Sequence, residues 1–410
     1  MVSTLQLSGL GTRFAGSARL FASQLGRKGD AAQTPDMAPT ATPPQPNLMA
    51  RIHIPLLNRP PEADLWDQTV AEFAALAADQ RLAEVLAALR AADQSRSTCA
   101  GGRSCSTLIS RGARQALTTA LTVAQTSGTW QMAEAEVANI AAMQSAHSQD
   151  YTAACLLAQA HLDFGWARRC AASGKAGDVP RELWKTFLRH TALAEAALER
   201  FDPIEESSPL MAGTRYLLIR GMEDGEELCR DWYEDWSDLD PANPEPHSTH
   251  APHLLPHWFG TLAGFDGEAV TATKRTRAST GAAAYALFYL AATDALGDLP
   301  PGLDMPLFLQ GLADYQAATG CQYRANIVTA ALADLDHSLS QDANGSRRHQ
   351  EVRKALDGHL RNTLREFHLS TWNKDQALIL YALSRVFADD LAGGAHLHSG
   401  PFGLIARRPS

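Results

Sequence analysis

Apolar residues recur every three or four positions along most of the chain, from about residue 62 to residue 391. After Trp184, for example, Phe187 and Thr191 continue one apolar face, while Lys185 lies on another. This spacing is the period of an amphipathic α-helix, and no segment shows the convincing strict alternation of a half-buried strand. The pattern predicts helices near residues 65–92, 107–126, 130–145, 150–172, 184–201, 208–221, 228–239, 250–262, 267–277, 281–296, 305–319, 322–340, 346–368 and 374–391.

Two segments in the middle of the chain end in the same way, 38 residues apart. One amphipathic run ends at Asp202-Pro203 and another at Asp240-Pro241, and each is followed by a short polar turn and a further apolar run. Repeated helix pairs of this kind bury their apolar faces against their neighbours and build solenoids. The sequence therefore predicts an all-α fold over residues 61–392, an α-solenoid of stacked, antiparallel, tetratricopeptide-like helical hairpins.

The two ends of the chain differ from this helical region. Residues 1–60 begin with 29 residues that contain no Asp or Glu, and five prolines follow between positions 35 and 46. Such a composition does not build a packed core, so it predicts a disordered, Pro-rich tail. The alternative is a basic amphipathic helix over residues 5–28 that lies on a membrane surface or serves as a targeting element. Residues 393–410 are predicted to form an irregular C-terminal tail.

About a third of the chain carries motifs of a known family. The stretch 158–168 reads AQAHLDFGWAR, the two Asp-Pro turns follow it, and a further turn at 256–260 reads PHWFG. With these motifs, residues 150–280 resemble DUF4034, a bacterial helical-repeat family of unknown function. The resemblance implies a bacterial protein with a tetratricopeptide-like stack, and it transfers no catalytic residue.

Charge and cysteine usage argue against several classes of function. The net charge is −9 at pH 7, whereas broad nucleic-acid binding needs a basic surface, so no nucleic-acid partner is expected. No stretch reaches the roughly 18–20 apolar residues of a membrane-spanning helix, so an integral membrane protein is not expected. The six cysteines are scattered without a CxxC pair, which predicts reduced thiols in a cytoplasmic protein. A disulfide between Cys99 and Cys105 is the alternative.

A tract of four histidines carries the most distinctive chemistry in the sequence. Its spacings of three, three and four residues could place the imidazoles on one helical face, where they would bind Zn²⁺ or a similar metal. Three prolines interrupt the tract and favour a repeat turn whose histidines form hydrogen bonds instead. In that second case no cofactor is expected. The four candidate metal ligands are His247, His250, His253 and His257.

An acidic and aromatic stretch covers residues 223–240, where nine carboxylate residues accompany the single Arg230. Such a surface could attract a basic peptide and stack its cationic side chains on tryptophan. The alternative is an ordinary helix with Trp232 and Trp236 in the core and a solvated acidic face. The candidate partner-binding residues are Glu227, Asp231, Glu234 and Asp235.

A basic run lies near the end of the helical region. Arg347, Lys354 and Arg361 are seven residues apart and would line one stripe of a helix, where an acidic partner or a phosphate could dock. The alternative is a solvated helix surface. Because the acidic and basic stretches have opposite charges, two copies of the chain could also meet through them as a homodimer.

These features favour a protein without catalysis over an enzyme, because no coherent catalytic constellation accompanies the repeats. The predicted function is an intracellular interaction or scaffold protein that binds a peptide or a protein partner on a helical-repeat surface. The alternative is a metal-binding protein or an enzyme that uses the tract from His247 to His257.

Overall fold

The structure is a computed structural model that describes residues 48–171, 180–340 and 347–409. These residues form 17 α-helices and seven short β-strands, and 72% of the structure is helical. The predicted all-α fold of stacked helical hairpins is therefore confirmed. Most of the predicted N-terminal tail, with the alternative amphipathic helix, lies outside the described residues. Within the described ranges, every helix is too short or too polar to span a bilayer.

The chain divides into two compact units. The first comprises Pro61–Thr319, and the second combines residues 48–60 with residues 320–409. The single repeat domain predicted over residues 61–392 is therefore divided. The reason is that short strands near the start of the described chain pair with strands near its end, which gives these segments a core of their own.

The first unit is a succession of helices, most of which pack against a neighbour in sequence. Second neighbours also meet, as α6 and α8 do, and this is the packing expected of stacked hairpins. Its thirteen described α-helices are α1 (Glu62–Ala78), α2 (Leu82–Gln94), α3 (Cys105–Ala113), α4 (Gln115–Ser127), α5 (Gln131–Ala146), α6 (Tyr151–Cys170), α7 (Arg181–Leu198), α8 (Pro209–Tyr216), α9 (Gly225–Leu239), α10 (Glu245–His250), α11 (Leu262–Thr280), α12 (Ala283–Leu296) and α13 (Met305–Ala317).

Helix α6 is buried on nearly all sides, because its sequence is rich in apolar residues and neighbouring helices pack around it. It starts at Tyr151, where the Asp150 carboxylate accepts a hydrogen bond from the backbone N–H of Thr152 and caps the helix. Its last turn carries Arg168 and Arg169, whose positive charges are favourable at the negative end of the helix dipole. The predicted helix over 150–172 is confirmed within two residues.

The chain between α9 and α11 differs from the prediction of one helix over residues 250–262. The short helix α10 is followed by a 3-10 turn at Ala251–Leu254, and α11 begins only at Leu262. Pro252 and Pro256 lack the backbone N–H groups that a continuing helix requires. Helix α11 then has its own cap, since the Thr261 hydroxyl accepts a hydrogen bond from the backbone N–H of Gly264.

The second unit mixes helices with short strands. Its described α-helices are α14 (Gln322–Ser340), α15 (Arg347–Asn362), α16 (Gln376–Val386) and α17 (Ala388–Ala392). The strands of the whole chain are β1 (Ile52–His53), β2 (Leu56–Leu57), β3 (Thr98–Cys99), β4 (Arg103–Ser104), β5 (Phe367–His368), β6 (His396–Ser399) and β7 (Leu404–Arg407), of which β3 and β4 belong to the first unit.

The strands of the second unit correct both predicted tails. Strands β6 and β7 form an antiparallel hairpin, β1 pairs in parallel with β6, and β2 pairs in parallel with β5. The irregular tail predicted over residues 393–410 is therefore wrong for the hairpin, and the tail predicted over residues 1–60 is wrong for residues 48–60. Buried Leu397 and Leu404 hold the hairpin in place, but four-residue strands are too short for a periodic signal.

A second small hairpin, β3 with β4, precedes helix α3. A disulfide joins Cys99 to Cys105, with the two Cα atoms 5.3 Å apart. Gly101 and Gly102 both have positive φ, 73° and 77°, and glycine adopts this conformation without strain. The prediction of six reduced cysteines is therefore wrong for this pair, since the tight turn brings the two thiols together.

Candidate functional site

Three of the four tract histidines are buried in the core of the first unit. His247, His250 and His253 are only 1%, 1% and 2% exposed, whereas His257 is exposed on the turn that follows. Helix α10 and its 3-10 turn carry the three buried imidazoles, and α9 and α12 pack against α10. The tract is thus a core element rather than an open surface.

Two tyrosines bind the buried imidazoles. The Tyr216 hydroxyl lies 2.6 Å from Nδ1 of His250 and 2.8 Å from Nδ1 of His253, and the Tyr233 hydroxyl lies 2.9 Å from Nδ1 of His247. A hydroxyl has one proton to donate, so one of the two imidazoles at Tyr216 must donate its own Nδ1–H to the hydroxyl oxygen. The Tyr233 ring also stacks on His250, with ring centroids 4.0 Å apart. We call these five residues the histidine network.

The histidine network is neutral at physiological pH. Burial disfavours the charged imidazole, and it lowers the pKa of His247 to about 4 and that of His250 to about 3. The pKa of His253 also lies well below its usual value, because of burial and the nearby charge of Arg220. The network therefore stabilises the fold through hydrogen bonds and stacking rather than through charge.

The network does not form a cysteine–histidine catalytic pair, although Cys229 Sγ lies 3.7 Å from Nδ1 of His250. Burial raises the pKa of the Cys229 thiol to about 11, while the pKa of His250 is lowered, so the proton stays on sulfur. The thiolate is the reactive form of cysteine, and here it is strongly disfavoured. Cys229 is also only 3% exposed, which closes it to a substrate.

The predicted metal ligands are not arranged as a metal site. In the described part of the chain, no group of three or more His, Cys, Asp or Glu side chains could hold a metal ion. The tract instead directs its Nδ1 atoms at tyrosine hydroxyls, because the bend after His250 prevents one continuous helical face. The geometry thus supports the hydrogen-bonding interpretation and not the zinc hypothesis.

The predicted acidic surface lies on helix α9, and part of it is neutralised internally. Glu234 and Asp238 both pair with Arg275, at 3.0 Å and 2.6 Å, while Asp235 is half-buried. Glu227 and Asp231 remain exposed. Trp232 and Trp236 are buried, so this surface offers carboxylates without the aromatic rings needed for stacking.

The predicted basic stripe lies on helix α15, and its three residues have different environments. Arg347 pairs with Glu351 one turn along the helix, and Lys354 is exposed. Arg361 is held within the second unit, because it pairs with Asp357 at 2.9 Å and donates a hydrogen bond to the carbonyl oxygen of Val386 at 3.0 Å. Only the first part of the stripe is therefore open to a partner.

A different cluster brings arginine and tryptophan together in the first unit. Its residues come from α6, α7, the 3-10 turn Ile219–Gly221 and the turn before α11. We call it the arginine–tryptophan site, and it consists of Trp166, Arg169, Trp184, Arg220 and Trp258.

The tryptophan rings of this site hold both guanidinium groups. The Arg220 guanidinium lies 4.4 Å from the centroid of the Trp258 ring and 5.6 Å from that of Trp166. The Arg169 guanidinium lies 5.1 Å from the Trp166 ring and 5.4 Å from the Trp184 ring. Cation–π contacts of this kind attract the guanidinium to the ring face and leave its N–H groups available to a ligand.

A close approach of two backbone segments places Arg220 at the site. A Cβ atom at Gly221 would come within 2.4 Å of the hydroxyl oxygen of Thr191, a buried residue of α7. Glycine therefore allows the 3-10 turn to pack directly on α7. The neighbouring Arg220 is thereby brought next to Trp166 of α6.

Among the described residues, no carboxylate balances the two guanidinium groups. Neither arginine forms an ion pair or a hydrogen bond with a described residue, and the Nε atoms of both are buried without an acceptor. Burial and the charge of Arg169 lower the pKa of Arg220 to about 10, and burial also lowers the pKa of Arg169. Both remain charged at pH 7. Since a partly buried charge is costly when no carboxylate pairs with it, and none does so among the described residues, this arrangement points to an anion as the partner.

The sequence patterns do not predict this site, because its members are distant in the chain and meet only in the fold. The one local signal is Trp166 three residues before Arg169, a spacing that places them on one face of α6. That signal also fits an ordinary helix surface.

No family model matches the chain, and neither a curated protein nor a solved structure shows significant similarity to it. The resemblance of residues 150–280 to DUF4034 therefore stays a prediction.

Proposed function

We propose that this chain is a non-catalytic binding protein whose helical hairpins hold an acidic segment of a protein partner at the arginine–tryptophan site. The observation that carries the proposal is the pair of guanidinium groups, Arg169 and Arg220, held on tryptophan rings without a described carboxylate. The predicted role of a scaffold is retained, and the proposed surface is a new one.

The absence of catalysis in this proposal is supported by the histidine network. Its imidazoles and the Cys229 thiol are groups of the kind that perform acid–base or nucleophilic chemistry, but they are almost completely buried. Their pKa values are also shifted so that the imidazoles stay neutral and the thiol stays protonated. A general acid or base must reach its substrate, and these groups do not.

An acidic protein segment suits the site for two physical reasons. Carboxylates accept paired hydrogen bonds from one guanidinium, and such charge-assisted bonds are stronger than neutral ones. The tryptophan rings also restrict each arginine before binding, so less side-chain entropy is lost on association.

A charge-matched peptide titration tests the proposal. A fluorescein-labelled, Glu-rich peptide should bind the full chain in fluorescence polarisation, whereas a Lys-rich peptide of equal length should not. Arg169→Gln and Arg220→Gln should each weaken binding about tenfold, which corresponds to loss of one charge-assisted contact. Arg81→Gln is the matched control, since Arg81 lies in the same unit and pairs with Glu84 on an exposed surface. Equal binding by all three variants would exclude this site as the peptide surface.

Self-association through opposite charges stays a prediction. Glu227 and Asp231 on α9 and Arg347 and Lys354 on α15 are exposed and could meet between two copies. Sedimentation at low and high salt checks it, because an interface of this type dissociates as salt screens the charges.

The cytoplasmic location also stays a prediction, and the disulfide provides its test. Disulfides are rare in reducing compartments. If the protein resides in the cytoplasm with its thiols reduced, alkylation of acid-quenched cell extracts should label Cys99 and Cys105. Failure to label them would show that the disulfide is formed in the cell.

A further inference from the structure

We infer that the preferred ligand of the arginine–tryptophan site is a phosphorylated side chain of the partner, bound by Arg169 and Arg220 together. This inference rests on the proposed function and specifies the chemistry of the acidic segment. It is carried by charge balance, by the hydrogen-bond donors available and by the fixed orientation of the two guanidinium groups.

Charge balance favours an anion with two negative charges. The site contains two guanidinium groups that no described carboxylate neutralises, and they are close enough for the charge of Arg169 to act on Arg220. One carboxylate would leave a net positive charge in a partly buried place. A phosphate monoester carries a charge of about −1.5 to −2 at pH 7, so a single group can balance both arginines.

The number of donors also matches a phosphate. A guanidinium has five N–H donors, and neither arginine uses any of them within the described residues. A carboxylate has two oxygen atoms, whereas a phosphate monoester has three terminal ones that can accept from two arginines on different elements. Because Arg169 belongs to α6 and Arg220 to the 3-10 turn after α8, a bridging ligand must accept from two directions.

The tryptophans make this recognition specific to arginine. The tryptophan ring centroids lie 4.4 Å to 5.6 Å from the Cζ atoms of the two guanidinium groups. Contacts with the ring faces leave the edges of each guanidinium plane for paired hydrogen bonds. Arg–phosphate contacts are commonly paired in this way, whereas lysine binds phosphate as a point charge. Replacement of either arginine by lysine should therefore keep the charge and lose much of the preference.

Calorimetric titration of the full chain with three peptides tests the inference. The peptides share one Glu-containing sequence and differ at a central position that is phosphoserine, glutamate or serine; inorganic phosphate is the fourth probe. The phosphoserine peptide should bind about tenfold or more tightly than the glutamate peptide, a difference of about 1.4 kcal/mol. Arg169→Gln and Arg220→Gln should reduce this preference to within about twofold, and Arg81→Gln should leave it unchanged.

The conservative variants Arg169→Lys and Arg220→Lys keep the test valid if a glutamine variant fails to fold, as judged by circular dichroism. Each should retain binding but lose most of the preference for phosphoserine over glutamate.

The contrary outcomes separate this inference from the proposed function. Equal binding of the phosphoserine and glutamate peptides would overturn the phosphate preference and leave an acidic-segment site. Binding of inorganic phosphate as tight as that of the phosphopeptide would overturn the assignment to a phosphorylated partner. No binding of any peptide would overturn both the inference and the proposed function.

Discussion

The histidine network and the arginine–tryptophan site lie in the same unit, and they use polar groups in opposite ways. In the network, Nδ1 of every buried imidazole has a tyrosine hydroxyl as a partner at 2.6–2.9 Å, whereas Nε2 of His247 and of His253 has none among the described residues. In the arginine–tryptophan site, both guanidinium groups are without a hydrogen-bond partner among the described residues. Satisfied buried groups stabilise a fold, whereas unsatisfied ones reduce its stability until a ligand binds. The network is neutral and each of its rings keeps one hydrogen bond, whereas the site is charged and its guanidinium groups have none among the described residues. This difference distinguishes a structural cluster from a binding site.

The largest effect is expected from acid, which acts on the network. The pKa values of His247 and His250 are lowered to about 4 and 3, so between pH 6.5 and pH 4 the unfolded chain takes up protons that the folded chain does not. The titration of these histidines therefore leaves the free energy of unfolding unchanged above about pH 6.5. Below that pH each histidine lowers the free energy of unfolding by about 1.4 kcal/mol per pH unit. With His253, the three together give about 4 kcal/mol per pH unit. Urea denaturation across this pH range measures the slope.

Acids whose pKa is raised by burial act in the other direction, so a histidine variant is needed as the control. Burial raises the pKa of Asp240 to about 6, so protonation of this carboxyl favours the folded state as the pH falls. The histidine contribution is therefore read as the difference between the wild type and His247→Gln. The variant should have a slope shallower by about 1.4 kcal/mol per pH unit. Identical slopes would show that His247 is not held neutral by burial.

The period of apolar residues allowed much of this arrangement to be predicted. It placed α6 within two residues, and the Asp-Pro steps at 202 and 240 follow α7 and α9 as expected. The histidine tract is chemically distinctive in the sequence, but its tyrosine partners are not. Tyr216 and Tyr233 lie on other helices, and helical spacing does not show which helices meet in the fold.

The parts that the sequence did not predict depend on long-range contacts or on very short segments. Arg169 and Arg220 become neighbours only because Gly221 lets a 3-10 turn approach α7. Hairpin β6–β7 is stabilised by β1, which lies at the other end of the described chain. Neither relation leaves a periodic signal in the residues themselves.

The next largest effect is expected from Tyr216→Phe. The variant removes the hydroxyl between His250 and His253, which leaves Nδ1 of His253 buried without a partner and Nδ1 of His250 with only the weakly bonding Cys229 thiol. Each such group costs about 1–3 kcal/mol, so we expect a loss of about 3 kcal/mol in the free energy of unfolding. Urea denaturation at pH 7.5 measures it. Tyr381→Phe is a matched control in the second unit, where the hydroxyl donates to Asp336 from a half-exposed position. A loss no larger than that of the control would mean that the network contributes little.

In the arginine–tryptophan site, by contrast, a substitution should reduce binding and leave the stability of the fold nearly unchanged. Arg220→Met removes a charge that no described residue pairs with, and it keeps an apolar stem beside Trp258. Loss of the cation–π contact destabilises the fold, whereas removal of the partly buried charge stabilises it. The free energy of unfolding should therefore change by no more than about 1 kcal/mol. Binding of the acidic peptide should nevertheless weaken about tenfold. Severe destabilisation would show that Arg220 has a structural partner after all.

The smallest effect is expected on the acidic face of α9. Glu227→Gln with Asp231→Asn changes two exposed side chains that belong to neither cluster. The free energy of unfolding should change by less than about 0.5 kcal/mol. Binding of the Glu-rich peptide should not weaken, since these carboxylates repel rather than attract it. Binding of a Lys-rich peptide that depends on both residues would revive the acidic surface as a partner site.

The most direct test of the account compares Arg220→Met with Tyr233→Phe in one peptide titration. Both residues belong to the first unit, but only Arg220 is part of the arginine–tryptophan site. We predict that Arg220→Met weakens binding of the phosphoserine peptide at least about tenfold while remaining folded. Tyr233→Phe should lose stability and bind like the wild type. Normal binding by Arg220→Met together with lost binding by a folded Tyr233→Phe would contradict the division between a binding site and a structural network.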